Sequence, residues 1–513
     1  MENSEKFKFF ASLLLLIFVT FAVHFGLQSY LTGNFNNFEF KNFKLGYLDK
    51  IDKTNITEEL ILKKVADTNP NLILQRPLTI WGPRFNNTCA LYVNAFNVKF
   101  NNQYWQVQNY PNETFYLYGA YFDDRVGLND TGPFVRIIGM VDKRDYFKNL
   151  SCQFWFKDQD VPKFGNITEN FNLWPKYWGN AHAKLHPYIF SCKCPFKDRV
   201  PESVSLVINP CDNATNNLRV INNQLKLKKK QNFLVCVKGL NYRHKADFSI
   251  RLVEWLEMHK ILGADKIVIY ELQVHPNTSK VLEHYVQSGF VELVKTSLPG
   301  FYSNVPDLMS FFLVENLHVQ VFQEIIQYND CLYKYMNMYN FIVLVDMDEV
   351  ILPLSSDTWY DLIYKKTIPK VNVTEKTPAA FVARNLIFVD DKAEIKDWYP
   401  DIPKYMHLLQ NVQRNVNYTF PPGDGVKSFH DPQIVFAIHN HLPRKCIGYT
   451  NDWCPVHDFD LKDAHMQHYC TGKGKNECKL QRGINLSVDT SIWKFKDRLI
   501  KATSQRLKEI GFF

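Results

Sequence analysis

From Phe233 onward, apolar residues alternate between short continuous runs and helically spaced sets. Phe233–Val237 reads as a strand. Phe248, Leu252, Trp255, Leu256 and Leu262 keep helical spacing, with Gly263 placed as a left-handed C-cap. Lys266–Tyr270 predicts a second strand, Thr278–Gln287 a second helix ended by Gly289, and Phe290–Val294 a third strand. A longer helix is expected near Leu317–Tyr339, with Val321, Phe322, Ile325, Leu332 and Met336 facing inward. It leads into the strand Phe341–Val345. This alternation argues for an α/β fold with a doubly wound, mostly parallel sheet.

Other stretches carry different patterns. Between residues 76 and 230 the apolar runs are short and β-prone, as in Ala90–Val93, Thr114–Tyr118, Phe134–Val141 and Ser203–Val207, so a β-rich accessory domain is expected. Residues 28–75 have little period and read as a stem. Phe9–Leu27 is an apolar run interrupted only by Ser12, Thr20 and His24, long enough for a bilayer core. Lys6 and Lys8 precede it and no A-x-A-like cleavage site follows. A transmembrane signal anchor over 9–27, with residues 1–8 as a cytoplasmic tail, is the expectation. The α/β domain is placed at 231–490 and a C-terminal tail at 491–513.

Composition fixes the compartment more than the chemistry. Hydrophobic content of 46% and a net charge of +8 exclude a disordered chain. The one dense basic run, Lys226–Lys230, reads as linker, and no nucleic-acid-binding motif is present. N-x-[ST] acceptors begin at Asn55, Asn86, Asn112, Asn129, Asn149, Asn166, Asn213, Asn277, Asn372, Asn417 and Asn485. With 11 Cys, they imply an oxidising lumen: a type II protein of the secretory pathway, with Golgi residence expected. Cys446/Cys454 and Cys470/Cys478 could close short loops, and Cys89, Cys152, Cys192, Cys194 and Cys211 could staple the N-terminal region. An odd count leaves a thiol over.

The chemistry concentrates where the strand Phe341–Val345 runs into Asp346-Met-Asp348. Ligands of open α/β sheets collect at the carboxyl ends of strands. Two carboxylates there suit Mn²⁺ or Mg²⁺ shared with a substrate phosphate. Two architectures own such a pair. One is the GT-A glycosyltransferase, whose D-x-D holds a metal on a nucleotide-sugar diphosphate. The other is the haloacid-dehalogenase phosphatase, which Asp346-Met-Asp348-Glu-Val-Ile351 and the later Leu386-Ile-Phe-Val-Asp-Asp391 also mimic. In the phosphatase the D-x-D strand comes first, whereas here a βαβαβ unit precedes it, which favours the GT-A order.

Several segments resemble glycosyltransferase family 92: Leu234-Val-Cys-Val-Lys238, Leu252-Val-Glu-Trp-Leu-Glu-Met-His259 with Leu262-Gly-Ala264, Val268-Ile-Tyr270, and Asp346-Met-Asp-Glu-Val-Ile-Leu-Pro353. Upstream, Tyr121-Phe-Asp-Asp-Arg125 and Val135-Arg-Ile-Ile-Gly139 are similar to the family's N-terminal segment. The resemblance spans roughly residues 115–480. It implies an inverting GT-A enzyme using a UDP-sugar and Mn²⁺ (or Mg²⁺) to transfer a hexose, with galactose expected, to a hydroxyl of an N-glycan or other glycoconjugate. Asp346 and Asp348 become metal and diphosphate ligands, with His439 or His441 as a further metal ligand. Lys427 is a candidate diphosphate partner. Lys238 and Glu271 are candidate nucleotide contacts, with Arg243 and His244 as phosphate partners. Inversion needs a carboxylate base, and Asp390, Asp391 and Asp424 are the candidates. Glu349 is expected behind the metal site, and Glu254 and His259 as packed helix residues. A glycan-binding pseudoenzyme and a phosphatase stay open as alternatives.

Overall fold

The structure, a computed structural model, describes residues 57–74, 89–128, 131–144, 149–175, 178, 183–223, 229–241, 247–371, 377–390, 399–415, 420–421, 423–449, 454–470 and 486–513. The anchor, most of the stem and residues 226–228 of the basic run therefore lie outside the described residues. Among those described, no helix is long and apolar enough to cross a membrane.

Residues 100–221 form a nine-stranded sheet, antiparallel except where Leu218–Ile221 pairs parallel with Glu113–Asp123 and closes the sheet on itself. Its interior holds Phe115, Leu117, Ile137, Phe154, Phe190 and Leu206. Thr114–Tyr118, Phe134–Val141 and Ser203–Val207 lie in strands as expected. Ala90–Val93 does not. It is irregular chain carrying buried Ala90, Tyr92 and Val93, held by the Cys89–Cys211 disulfide and by the Asn217 amide donating to the Val93 carbonyl. Apolar content alone reads the same for a strand and for a buried loop. The sequon residues Asn112, Asn149, Asn166 and Asn213 are exposed on this domain.

The α/β half begins at Gln231, and its elements are labelled from there. The units are β1 (Gln231–Asn241), α1 (Ser249–Leu262), β2 (Lys266–Gln273), α2 (Pro276–Gln287), β3 (Val291–Lys295), α3 (Leu308–Glu315), α4 (Leu317–Tyr335) and β4 (Tyr339–Leu344). Strands β3, β2, β1 and β4 lie side by side and parallel. Gly263 (φ 99°) ends α1 in the left-handed conformation expected of it, its N–H donating to Lys260. Period-two alternation sorts the strands onto two cores. Phe233, Val235, Val237, Ile267, Ile269, Phe341 and Val343 face α1, whereas Leu234, Cys236, Val268, Ile342 and Leu344 face α4 and the N-terminal domain.

After β4 the sheet becomes mixed. β5 (Glu349–Pro353), β6 (Ala380–Val389), β7 (Val426–His430), β8 (Val435–Ile438), β9 (Pro443–Cys446) and β10 (Ala464–Cys470) follow. β7 sits antiparallel between β4 and β6, and β10 lies parallel to β6 and antiparallel to β5. Residues 491–513 are not a tail. Ser491–Phe495 forms a 3₁₀ turn and α5 (Lys496–Ile510) buries Leu499, Leu507 and Ile510 in the α1 core.

Disulfides join Cys152–Cys192, Cys446–Cys454 and Cys236–Cys331, the last tying β1 to α4. Cys470 is disulfide-bonded, while Cys478 lies outside the described residues. Cys194 is a buried free thiol.

Candidate active site

The chain leaves β4 at its carboxyl end and turns at once. The Asp346 N–H donates to Glu349 Oε2 at 2.8 Å, and the Glu349 N–H donates to the Asp346 carbonyl at 3.0 Å. This turn gives the two aspartates different surroundings. Asp346 is only 13% exposed, with Oδ2 3.2 Å from Lys238 Nζ and 3.3 Å from Lys427 Nζ. Asp348, at 52%, opens to solvent.

Beneath Asp346 lies a closed charge network. Lys238, near the end of β1, also reaches Glu324 Oε1 of α4 at 3.2 Å. Lys427, on β7 and fully buried, reaches Glu349 Oε2 at 3.0 Å and donates to Asn440 Oδ1 at 2.7 Å. Asn440 Oδ1 also accepts from the Tyr328 hydroxyl at 3.1 Å. Burial works against both ammonium groups. The surrounding carboxylates outweigh it, Asp346 foremost, and hold both lysines above their usual range. Burial raises Glu349, Lys427 lowers it, and Asp346 raises it again.

His468 is the neighbour the sequence did not single out. It lies on β10 directly opposite Glu349, with Nε2 3.5 Å from Asp348 Oδ2 and Nδ1 3.3 Å from the Asn385 amide. A half-open carboxylate and an imidazole are the donors here that could serve a cation. Among the described residues, no three His, Cys, Asp or Glu side chains converge into a complete cage. A metal would draw its remaining ligands from substrate phosphate and water, as Mg²⁺ and Mn²⁺ commonly do.

The other candidates fall into distinct places. His439 and His441 flank Asn440 beside Lys427, beyond the end of β8 rather than along it. The His439 N–H donates to the Leu442 carbonyl, so strand alternation does not govern the two imidazoles. His441 Nδ1 lies 2.9 Å from the Val426 carbonyl, and burial lowers His441 to about 4 and His439 to about 3. Asp424 is exposed and lines the same cavity as these histidines. Lys427 is no exposed diphosphate ligand but a buried counter-ion of Asp346. Asp390 is ion-paired with Arg251 Nη1 at 2.9 Å, lies 3.5 Å from His407 Nδ1, and is almost wholly buried, which makes it a structural group. Glu271, at the end of β2, pairs with Lys295 at 2.5 Å. Asp391, Arg243 and His244 lie outside the described residues.

Two residues expected as packing are that. Glu254 accepts from the His407 and Leu408 N–H groups, and burial raises it to about 8. His259 Nδ1 meets the Trp255 carbonyl at 2.8 Å, and burial lowers it to about 4.

Among solved structures, the chain is similar to TarS 1-349 of S. aureus, at 12% identity and a TM-score of 0.23, over 55% of this chain and 73% of that one. It is similar also to the WbbM bifunctional glycosyltransferase in its apo form, at 11% identity and a TM-score of 0.25, over 58% of this chain and 54% of that one. No curated protein matches it. The sequence profile of glycosyltransferase family 92 matches residues 231–510, from the first residue of β1 to the last of α5. That span is more than half of the chain and carries Lys238, the Asp346–Asp348 pair, Lys427 and His468, and the protein belongs to glycosyltransferase family 92.

Proposed function

We propose that this glycosyltransferase moves a hexose, with galactose the first donor to test, from a UDP-sugar to a hydroxyl of a glycan acceptor with inversion. The observation carrying this reading is the pairing of two aspartates with opposite exposure at the carboxyl end of β4. Asp346 is locked between two lysines, and Asp348 is open beside His468. A locked carboxylate fixes the turn, and an open one is available to ligand.

Asp348 and His468 are the residues that would hold Mn²⁺ or Mg²⁺. When bound, such a cation neutralises charge growing on the departing diphosphate. The chain's own groups do the rest. Lys238 and Lys427 pair with Asp346 and hold it in place. Of the three carboxylates considered as base, Asp390 is engaged by Arg251, whereas Asp424 is exposed on the cavity beside Asn440. In the proposed step the acceptor oxygen bonds to the anomeric carbon as its proton passes to Asp424. The anomeric carbon–oxygen bond breaks, and its electron pair leaves with UDP. The phosphatase reading of the motif falls with the family assignment.

The test is UDP release by the full-length protein across a UDP-sugar panel with a mixed glycan acceptor, in Mn²⁺ or EDTA. Release with one donor, abolished by EDTA and in Asp348→Asn, is the expected result. Failure to bind any UDP-sugar in Mn²⁺ would overturn the reading. Metal-dependent UDP binding without turnover on any acceptor would make the protein a glycan-binding pseudoenzyme.

A further inference from the structure

Beside the Asp346 turn lies a cavity of about 310 Å³ whose walls come from both halves of the described chain. One wall is Trp178, in the segment that follows the N-terminal strand Lys163–Asn172. The others are the Gly423–Asp424–Gly425 turn and the segment from His439 to Arg444. Asn440, between the two histidines, accepts from the same Lys427 ammonium that holds Asp346, so the cavity adjoins the proposed reaction centre.

Three features give this cavity a chemical character. Trp178 is 38% exposed, yet it is braced. Its ring meets Trp174 at 5.1 Å and His439 at 4.6 Å, both edge-on, and the Arg444 guanidinium lies 5.4 Å from it. Trp174 in turn rests 5.3 Å from Phe322 of α4. Asp424 is carried between two glycines at φ 85° and 53°, a backbone that residues with a Cβ avoid, so the turn is committed to presenting that carboxylate. His439 Nε2 is buried and has no hydrogen-bond partner among the described residues, although buried polar atoms are normally satisfied.

A braced but partly exposed indole, lining the cavity beside an exposed carboxylate and two imidazoles, suits a ligand with one apolar face and a rim of hydroxyls. That is the chemistry of a pyranose. We propose that Trp178, Asp424 and His439 form the acceptor-sugar subsite, in which one hexopyranose of the acceptor glycan stacks on Trp178 and hydrogen-bonds to Asp424 and His439. This rests on the glycosyl-transfer reading above. It makes the N-terminal domain a contributor to acceptor choice.

The test is a saturation-transfer NMR titration of the full-length protein with methyl glycosides of galactose, fucose, mannose and N-acetylglucosamine. It is run beside Trp178→Ala, Trp178→Phe, Asp424→Asn and Asp348→Asn, with UDP affinity in Mn²⁺ measured in parallel. At least one glycoside binds, and its Kd rises about tenfold in Trp178→Ala, the loss of one aromatic contact. Phe restores most of that affinity, Asp424→Asn weakens binding, and Asp348→Asn leaves it unchanged. UDP affinity and melting temperature do not move in Trp178→Ala. Binding of no glycoside, or equal binding by wild type and Trp178→Ala, overturns the subsite. Glycoside binding that depends on Trp178 in a protein that binds no UDP would sink the donor reading and leave the subsite standing.

Discussion

Asp346 and Asp348 stand one residue apart, and their surroundings separate their roles. Asp346 touches two lysines that are themselves shared with Glu324 and Glu349, so removing any member strands a buried charge. Lys427→Met leaves Asp346 and Glu349 facing each other without their common counter-ion. The expected loss is about 3–5 kcal/mol of stability, read by urea denaturation, and activity falls with it. Asp348→Asn removes a half-exposed charge, so its melting temperature stays near that of wild type while turnover disappears. If the two variants behaved alike in denaturation, the division between a locked and an open aspartate would be wrong. His468→Ala belongs with Asp348→Asn in activity. Its imidazole lies 3.5 Å from Asp348 Oδ2 and 4.0 Å from Glu349 Oε1, so its loss abolishes turnover and also lowers stability somewhat, between the two variants above.

The elements differ in how far their own residues announce them. β1, β2 and β3 were legible as short apolar runs and α1 and α2 by helically spaced apolar residues, with Gly263 and Gly289 punctuating the helices. The D-x-D turn was legible because two carboxylates close a short apolar run, a pattern consistent with the end of a buried strand. His468 was not, because its place depends on β10 pairing with β5 across more than a hundred residues, a register no local pattern encodes. Lys427 was visible as a residue but not as a role, since nothing in Gly425-Val-Lys427 states that the lysine is buried. Residues 491–513 read as a tail because they follow a polar, cysteine-bearing stretch, yet α5 completes the α1 layer. Leu499→Ala is therefore expected to destabilise the protein by about 2–5 kcal/mol, as truncation in a packed core does. A shift below about 1 kcal/mol in chemical denaturation would mean that α5 is dispensable to that core.

At the scale of the whole described chain, the N-terminal domain is joined to the α/β half through buried ionic groups. Arg125 donates to both Asp123 oxygens and from Nη1 to the Pro432 and Val435 carbonyls at 2.8 and 2.6 Å, and Arg136 Nε also donates to Asp123 Oδ2 at 2.8 Å. Against the cost of burial, the two guanidiniums hold Asp123 well below the usual carboxylate range. The motif around Tyr121–Arg125 thus acquires a physical reason, since Tyr121 also donates to Asp330 of α4. Arg125→Ala, which leaves two carbonyls and a carboxylate short of a donor, should cost about 3–5 kcal/mol. A single unfolding transition at lower denaturant is the signature of a shared joint, whereas two separated transitions would show halves that fold independently.

The same joint and core also set the response to acid. Burial lowers His259, His441 and His465 to about 4, and His430 and His439 to about 3. Below about pH 6.5 the unfolded chain protonates these imidazoles and the folded chain does not. The unfolded state then binds more protons, so stability falls as pH drops, by up to about 1.4 kcal/mol per pH unit for each such group. Glu254, raised to about 8, has the opposite sign. Its contribution is complete below its unfolded value and is lost as pH rises through 8, so between pH 6.5 and 4.5 it offsets one histidine of the five. The expected result is a melting temperature that is highest near neutrality and falls steeply between pH 6.5 and 5, with His430→Asn shallower than wild type. A flat profile over that window would mean that these imidazoles reach solvent in the folded protein, and with them the wall of the cavity that His439 and His441 share.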